Sequence, residues 1–389
     1  MLIGGNGSGK SSVLQALSLV NEFGHGNASR FFEDRGWNSS DVRCRITGSR
    51  AFRADILLSD ELDHDFLWQI TWSLTTGINV REVVWRCRVN QRSPTRIFDY
   101  NRNTRSLRLG KTRTEASYRI PGSALAFIDL DSQDENQERL REISDWSRSI
   151  TSLELLSPNA MRGGTRGATN NIGMRGERLA SFLANLSAGS KSKLVKRLKR
   201  YYPISNIETT KKRAGWVDMR IAEAFARVGS ISPAHTSDGL LRLIALCAIP
   251  EFAEDNRLVM LDEIEDGVEP HILPELIQDI VSESESQFVF TSHSPLLANF
   301  FHPIDIHVLT RLSDGSVTTM QLSEFEDWEE GLEYFGPGEM WSMAERKSIN
   351  RQLIANARSK TRREKKTQIN RFSSRWVESF LLERKGLDG

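Results

Sequence analysis

A stretch near the start of the chain combines glycine, lysine and serine at the spacing of a loop that binds nucleotide phosphates. The stretch fits G-x-x-x-x-G-K-[ST] and consists of Gly4, Gly5, Asn6, Gly7, Ser8, Gly9, Lys10 and Ser11. Glycines let such a loop curl so that its backbone N–H groups point at phosphate oxygens. Lys10 would neutralise the β- and γ-phosphates, and the Ser11 hydroxyl would hold Mg²⁺. The pattern predicts a site for ATP and Mg²⁺, with Ser12 among the nucleotide-binding residues.

Two acidic residues come directly after a short apolar segment. Leu258–Leu261 is entirely apolar, and Asp262 and Glu263 follow it. A buried parallel strand would carry both acids to its carboxyl end, where the ligands of open α/β sheets bind. Asp262 would position Mg²⁺, and Glu263 would orient and polarise an attacking water.

Two further segments contain polar residues that could contact phosphate. His293, in Thr291-Ser292-His293-Ser294, could hydrogen-bond the γ-phosphate or the attacking water. The alternative is a helix-capping Ser292 beside an incidental histidine. Ser237 and Gly239 precede an apolar helical pattern and could form a second anion site, or only a helix N-cap.

The elements that would position these residues alternate between strand and helix. Strands are predicted at 153–156, 258–261, 287–291 and 306–309, and helices at 177–186, 190–202, 239–249, 271–282 and 296–300. Such alternation favours a mostly parallel sheet covered by helices. The predicted fold class is therefore α/β.

Residues 41–130 have a different pattern, in which short β-type runs are separated by turns. Predicted strands cover 42–46, 54–58, 66–74, 82–89 and 96–100, and a charged helix follows at 135–149. These runs predict an inserted antiparallel β lobe. We therefore divide the chain into a nucleotide-binding core (1–40 and 150–312), the lobe with its return helix (41–149), and an acidic, aromatic segment with a basic helical tail (313–389).

The composition of the 389 residues excludes several classes of protein. With 39% apolar and 26% charged residues the chain is not wholly disordered, and no apolar run approaches the ~18 residues of a membrane helix. The first residues lack the pattern of a secretory signal, so a cytoplasmic protein is predicted. Cys44, Cys87 and Cys247 show no CxxC spacing and are predicted to be reduced packing residues.

The charged residues are unevenly distributed, although the net charge is only +1. Residues 148–220 contain 15 Lys/Arg and 4 Asp/Glu, whereas residues 251–345 contain 2 Lys/Arg and 22 Asp/Glu.

Two basic clusters could contact DNA phosphates without reading sequence, because neither contains interleaved aromatic residues. They are Lys191, Lys193, Lys196, Arg197, Lys199 and Arg200, and Arg358, Lys360, Arg362, Arg363, Lys365 and Lys366. On a helix Lys193, Lys196, Arg197 and Arg200 would share one face. Solubilising charge is the alternative.

Four motifs in one order resemble a known class of ATPase. GGNGSGKS, SDGLLR, LVMLDEIEDGVEP and TSHSP together look like the ABC-type ATPase head of the SMC/RecF-like class, and more closely like the AAA-type ATPases related to the OLD family. SPNAMR and the segment GMRGERLASFLANL add to the resemblance, although Arg178 stands where that family usually has Asn. The resemblance implies a P-loop NTPase fold of the ABC-ATPase-head type. It also leads us to expect that the first strands of that fold are missing or replaced, because only Met1, Leu2 and Ile3 precede Gly4.

The resemblance also implies how such a protein works. Two protomers would sandwich two ATP molecules, and Ser237 and Gly239 would reach the γ-phosphate that the other subunit's Lys10 binds. A D-loop would lie at Glu265, Asp266 and Gly267, near the dimer seam. The expected function is an ATP-driven dimerisation switch in DNA repair or phage defence, which acts on DNA or on a separate effector such as a nuclease. A nucleotide-binding regulator that does not hydrolyse ATP is the alternative.

Overall fold

A computed structural model gives the fold of the chain. It describes residues 1–59, 64–88, 94–116, 119–131, 133–154, 156–227, 229–253, 256–325, 334–344 and 346–363. Two predicted features therefore lie wholly or partly outside the described residues: the acidic segment at 324–333 and the basic tail cluster with Lys365 and Lys366.

The strands and helices of the described chain are numbered in chain order. The strands are β1 (Leu2–Gly4), β2 (Ala51–Ser59), β3 (His64–Ser73), β4 (Ile78–Arg88), β5 (Thr95–Asn101), β6 (Ser106–Leu109), β7 (Thr112–Glu115), β8 (Ile150–Leu153), β9 (Thr165–Arg166), β10 (Ile204–Lys211), β11 (Trp216–Glu223), β12 (Leu258–Leu261), β13 (Gln287–Phe290), β14 (His307–Arg311) and β15 (Val317–Gln321). The helices are α1 (Lys10–Gly24), α2 (Ser29–Glu33), α3 (Glu135–Arg148), α4 (Pro158–Arg162), α5 (Leu179–Asn185), α6 (Ala188–Leu198), α7 (Asp238–Cys247), α8 (Pro250–Ala253), α9 (Leu273–Ser282), α10 (Pro295–Ala298), α11 (Pro337–Met343) and α12 (Arg346–Arg363).

The chain divides into two compact units. The core unit comprises Met1–Gln15, Ser149–Arg311 and Thr319–Ile349. The lobe unit comprises Ala16–Arg148, Leu312–Thr318 and the residues from Asn350 onward. The division falls within α1, whose first residues belong to the core unit.

The core unit is built on parallel strands. β12 pairs in parallel with β13 on one side and with β8 on the other. β1 pairs in parallel with β14, and a parallel bridge from Leu2 to Thr291 connects it to the end of β13. The resulting order is β14–β1–β13–β12–β8. Because every residue of β12 is buried, this strand needs the continuous apolar run that the sequence shows.

A small antiparallel sheet in the core unit was not predicted from the sequence. Its order is β10–β11–β9, and Trp216 and Val217 of β11 pair with Arg166 and Thr165 of β9. The signal was present, because Val217, Met219 and Ile221 alternate with polar residues and are buried.

The lobe unit contains a six-stranded antiparallel sheet in the order β2–β3–β4–β5–β6–β7. The fold-class prediction of an antiparallel lobe is therefore confirmed. Alternate residues of β3, among them Trp68 and Trp72, are fully buried. Glu82 of β4 is buried beside them and accepts hydrogen bonds from Trp68 Nε1 (2.9 Å), Asn79 Nδ2 (2.6 Å), Ser123 Oγ (2.6 Å) and the Ala124 N–H (2.5 Å). Burial raises the pKa of the Glu82 carboxyl, and these hydrogen bonds oppose the shift.

Several predicted elements differ from the structure. The strand predicted at 42–46 is wrong, because a short 3-10 helix covers Ser39–Val42 and the first strand of the lobe starts at Ala51. Asn38 starts that helix by donating its backbone N–H to Asp41 Oδ2 (2.8 Å). The strand predicted at 153–156 lies at Ile150–Leu153. Cys44 is exposed, so only Cys247, which is buried, fits the prediction of a packing residue well.

Among the described residues, no helix combines the length and the apolar character needed to cross a membrane.

Candidate nucleotide-binding site

The glycine loop leaves β1 at Gly4 and enters α1 at Lys10. Gly4 has a φ of 154°, and a Cβ at this position would clash with the Leu309 carbonyl and lie 2.7 Å from Ser8 Oγ. Glycine is therefore required where the loop passes β14. Gly7 and Gly9 also have positive φ, at 72° and 98°. The loop thus has the curled backbone that the sequence predicts.

The side chain of Lys10 folds back into the loop. Its Nζ donates to Gly4 O (2.9 Å) and Gly5 O (3.4 Å), and the residue is 6% exposed. Burial lowers the pKa of this ammonium group, while Asp262 and Glu263 oppose the shift. A cation held among glycine carbonyls with little water around it is well placed to attract a phosphate.

Ser8 provides a test of whether the loop suits a phosphate. Its Oγ is buried and has no hydrogen-bond partner in the described chain. A buried hydroxyl without a partner is costly, and a phosphate oxygen is an acceptor that would satisfy it. The loop residues therefore fit a nucleotide phosphate.

A hydrogen-bonded network at the carboxyl ends of β12 and β13 joins the acidic pair to the loop. Ser11 Oγ donates to Asp262 Oδ1 (3.3 Å), and Thr291 Oγ1 donates to the same carboxylate oxygen. Thr291 Oγ1 also accepts the backbone N–H of Glu263 (2.9 Å). A hydroxyl and a carboxylate in contact are oxygen ligands of the kind that Mg²⁺ prefers. The structure thus brings Ser11 and Asp262 together, 251 positions apart in the chain.

Glu263 and His293 face each other at the edge of this network. Glu263 Oε1 lies 4.0 Å from His293 Nε2, and both side chains are partly exposed. Glu263 adopts a left-handed backbone conformation with φ 48°, which is strained for a residue with a Cβ. The His293 N–H donates to Glu265 Oε1 (2.5 Å). Both residues are therefore held by their backbones, with their side chains accessible.

Ser237 and Gly239 lie at the start of α7. The Ser237 hydroxyl caps the helix by accepting the Leu240 N–H (3.3 Å). A Cβ at Gly239 would lie 2.8 Å from Gly267 O, so glycine allows α7 to approach the predicted D-loop. Within the described chain, neither residue hydrogen-bonds any residue of the glycine loop. Within one chain, Ser237 and Gly239 therefore take no part in the hydrogen bonds of the glycine loop.

Two arginines that the sequence analysis did not single out support this region. Arg162, at the end of α4, donates to Thr236 O (3.0 Å) and pairs with Asp238. Arg242, on α7, pairs with Asp266 (2.5 Å) and donates to Leu156 O (3.1 Å). The start of α7 is thereby connected to α4 on one side and to the D-loop on the other.

Thr291 and Arg311 are further residues that sequence reasoning did not assign to the site. Arg311, at the end of β14, donates to Gly7 O (2.8 Å). Thr291 lies within the quoted TSHS motif, but its hydroxyl reaches Asp262 only because β12 and β13 pair in register. No local pattern reveals either contact.

The basic helix α6 does not present the face that the sequence predicted. Arg197 is 3% exposed and pairs with Glu251 (3.2 Å) and Glu283. Arg200 pairs with Asp279. The prediction that Arg197 faces DNA is therefore wrong, because its side chain is buried and pairs with acidic residues that are far away in the sequence. Lys193, Lys196 and Lys199 remain exposed.

Comparison with known proteins identifies the family. The family described as "AAA domain, putative AbiEii toxin, Type IV TA system" matches residues 1–299. Among curated proteins, no sequence matches the chain.

Solved structures that resemble the chain include heads of Smc proteins. An Smc head bound to the C-terminal winged-helix domain of ScpA is 14% identical, with a TM-score of 0.41 over 85% of this chain and 91% of that chain. An Smc head with an extended coiled coil, bound to the C-terminal domain of ScpA derived from Pyrococcus furiosus, is 12% identical, with a TM-score of 0.42 over 85% and 92%. The SMC head domain from Thermotoga maritima is 12% identical, with a TM-score of 0.36 over 82% and 88%. The assignment of this chain rests on the family match, which spans residues 1–299 of 389. The chain therefore belongs to this AAA-domain family, and its parallel strands alternating with helices give it an α/β fold.

Proposed function

We propose that the protein binds ATP with Mg²⁺ in the glycine loop and hydrolyses it. One observation carries the proposal: Ser11, Asp262 and Thr291, from three separate segments, share hydrogen bonds beside the buried Lys10. Gly4, Gly5, Asn6, Gly7, Ser8, Gly9, Lys10, Ser11 and Ser12 would surround the phosphates. Ser11 and Asp262 would hold the metal ion, which would neutralise charge that develops on the phosphate oxygens.

Glu263 is the residue that we assign to the attacking water. Its carboxylate is partly exposed at the carboxyl end of β12, where it can accept a proton or orient a water molecule. His293, 4.0 Å away, would hydrogen-bond the same water or the terminal phosphate. The Thr291 hydroxyl fixes the backbone of Glu263, so the carboxylate starts from a defined position.

ATP-dependent dimerisation is the second part of the proposal. Ser237 and Gly239 begin α7 with N–H groups that suit a phosphate, yet in the described chain they form no hydrogen bond to the loop. A second copy of the chain would bring them to its partner's nucleotide. The bonds of Arg162 and Arg242 would hold this end of α7 ready for that contact.

The biological role that we propose is defence against phage, or DNA repair, in the cytoplasm. The family description refers to a toxin of a toxin–antitoxin system, which supports a defence role. The change between monomer and ATP-bound dimer would control binding to DNA or to a separate effector such as a nuclease. For DNA, the exposed lysines of α6 remain candidates, whereas Arg197 does not.

Two variants test the proposal. Lys10→Ala should abolish ATP binding, because Lys10 is the cation that lies inside the loop. Lys193→Ala changes an exposed position of α6 and should bind ATP as the wild type does. Glu263→Gln should retain ATP binding, lose turnover and accumulate as a dimer in light scattering.

The alternative of a nucleotide-binding regulator without hydrolysis makes a different prediction. In that case the wild type would show no turnover, and Glu263→Gln would not change its behaviour. ATP binding that survives in Lys10→Ala would contradict both functions.

A further inference from the structure

The first residue of β11, next to the turn from β10, carries an exposed indole. Trp216 is 47% exposed, although tryptophan is among the residues that gain most from burial. It is paired in register with Arg166 of β9, so both side chains lie on the same face of the small sheet. The backbone holds this arrangement, because the Lys212 N–H donates to Trp216 O (2.7 Å).

Cations lie close to this indole in the small sheet and its turn. Arg166 is its cross-strand neighbour, and Lys212 and Arg213 precede it in the turn, whereas Lys211 pairs with Val217 and so lies on the opposite face of the sheet. Within the part of the chain that the structure describes, Lys212 forms an ion pair with Asp218, and neither Arg166 nor Arg213 forms one. Arg166 uses its Nε to hold the turn at Ala214 O (2.8 Å). Its remaining guanidinium N–H groups, and the charge of Arg213, are available to a ligand.

We propose that this surface, the β10–β11 tip (Arg166, Lys212, Arg213 and Trp216), binds single-stranded nucleic acid. A flat aromatic ring flanked by unpaired cations is the combination that holds a stacked base together with its phosphates. Arginine beside the ring adds to base stacking through its planar guanidinium group. The site lies wholly within the core unit and does not depend on the proposed ATPase activity.

The chemistry of the tip favours a single strand over two other polyanions. A duplex keeps its bases stacked inside the helix, so it could use the cations but not the indole. An acidic protein segment would pair with the cations, but its carboxylates have no flat face to stack on Trp216. The indole therefore distinguishes the proposed ligand from the others.

The test is anisotropy of a fluorescent oligo-dT strand of about 20 nucleotides, titrated with the full chain. Trp216→Ala should weaken binding roughly tenfold, while Trp216→Phe, which keeps a ring, should retain most of the affinity. The double variant Arg166→Gln/Arg213→Gln should lower the slope of log affinity against log salt by about 1.4, at ~0.7 for each lost phosphate contact on a single strand.

Two control variants establish whether binding depends on the β10–β11 tip itself. Phe225→Ala removes an aromatic residue that is also exposed but lies outside the tip, and it should bind as the wild type does. Lys10→Ala should also bind oligo-dT normally, so failure of the nucleotide site and failure of this proposal are distinguishable. Thermal unfolding of each variant confirms that the fold is intact.

Several results would overturn the proposal. They are absence of oligo-dT binding by the wild type, equal affinity of Trp216→Ala and wild type, and competition by a duplex or by polyglutamate as strong as that by oligo-dT.

Discussion

The hydroxyl of Thr291 accepts the backbone N–H of Glu263 at 2.9 Å, across the boundary between two neighbouring parallel strands. The same hydroxyl donates to Asp262. One buried side chain therefore fixes both acids, the first through its carboxylate and the second through its backbone. This makes Thr291 a positioning residue for the proposed hydrolysis.

Replacing Thr291 by Val should lower ATP turnover about 10- to 100-fold, the usual effect of losing a residue that orients a ligand of the site. Val keeps the shape of Thr but cannot hydrogen-bond, so Asp262 and the Glu263 N–H would each lose a partner. Thr291→Ser keeps the hydroxyl and should restore most of the turnover. Steady-state ATPase assays with matched thermal melts measure this effect. Equal rates for Val and Ser would show that the hydroxyl does not act on the site.

The left-handed backbone of Glu263 predicts which substitution is better tolerated at this position. Glu263→Gly should be more stable than Glu263→Ala by about 1 kcal/mol, since only glycine adopts a φ of 48° without strain. Both variants should lose turnover, because both lack the carboxylate. Denaturant unfolding of the pair measures the difference. If Ala were as stable as Gly, the backbone of Glu263 would be relaxed.

The parts of the site that occupy contiguous sequence could be predicted, and the parts that depend on strand pairing could not. The loop from Gly4 to Ser11 and the acids after Leu261 are each defined by local patterns in the sequence. The role of Thr291 requires the register of β12 against β13, which no local pattern contains.

The fold shows the same limit. Alternating strands and helices predicted the parallel core, and β-type runs predicted the antiparallel lobe. The hairpin of β10 and β11 was missed, although its apolar residues alternate. Arg197 was assigned to a basic surface because its acidic partners are 54 and 86 positions away.

Arg197 should be essential for stability rather than for DNA binding. Arg197→Gln should lower the free energy of unfolding by about 3 kcal/mol or more, because Glu251 would remain buried without its partner. Lys196→Gln, the exposed neighbour on the same helix, should change stability by less than about 0.5 kcal/mol. Urea unfolding measures both variants. Equal stability of the two would show that the pairing of Arg197 contributes little.

The three cysteines should react with an alkylating reagent at very different rates. Cys44 is exposed, and hydrogen bonds with Thr47 lower the pKa of its thiol. Burial raises the thiol pKa of both Cys87 and Cys247 to about 12. Because the thiolate is the reactive form, Cys44 should be labelled first near neutral pH, and labelling of Cys87 should keep accelerating as the pH rises toward 12.

Mass spectrometry of the labelled peptides identifies the order, and Cys44→Ser should remove the fast phase. Rapid labelling of Cys247 in the native protein would contradict its burial.

The pairing of β1 with β14 has a consequence for how the protein is made. Leu2 pairs with His307 and Gly4 with Leu309, so the strand that leads into the glycine loop acquires these neighbours only after about 300 further residues have been translated. At ~5–20 residues per second that delay is about 15 to 60 s. The lobe sheet, whose strands each pair with the next in sequence, can form during this interval. We therefore expect the proposed ATP site to assemble only after translation has passed Leu309, among the last features of the core.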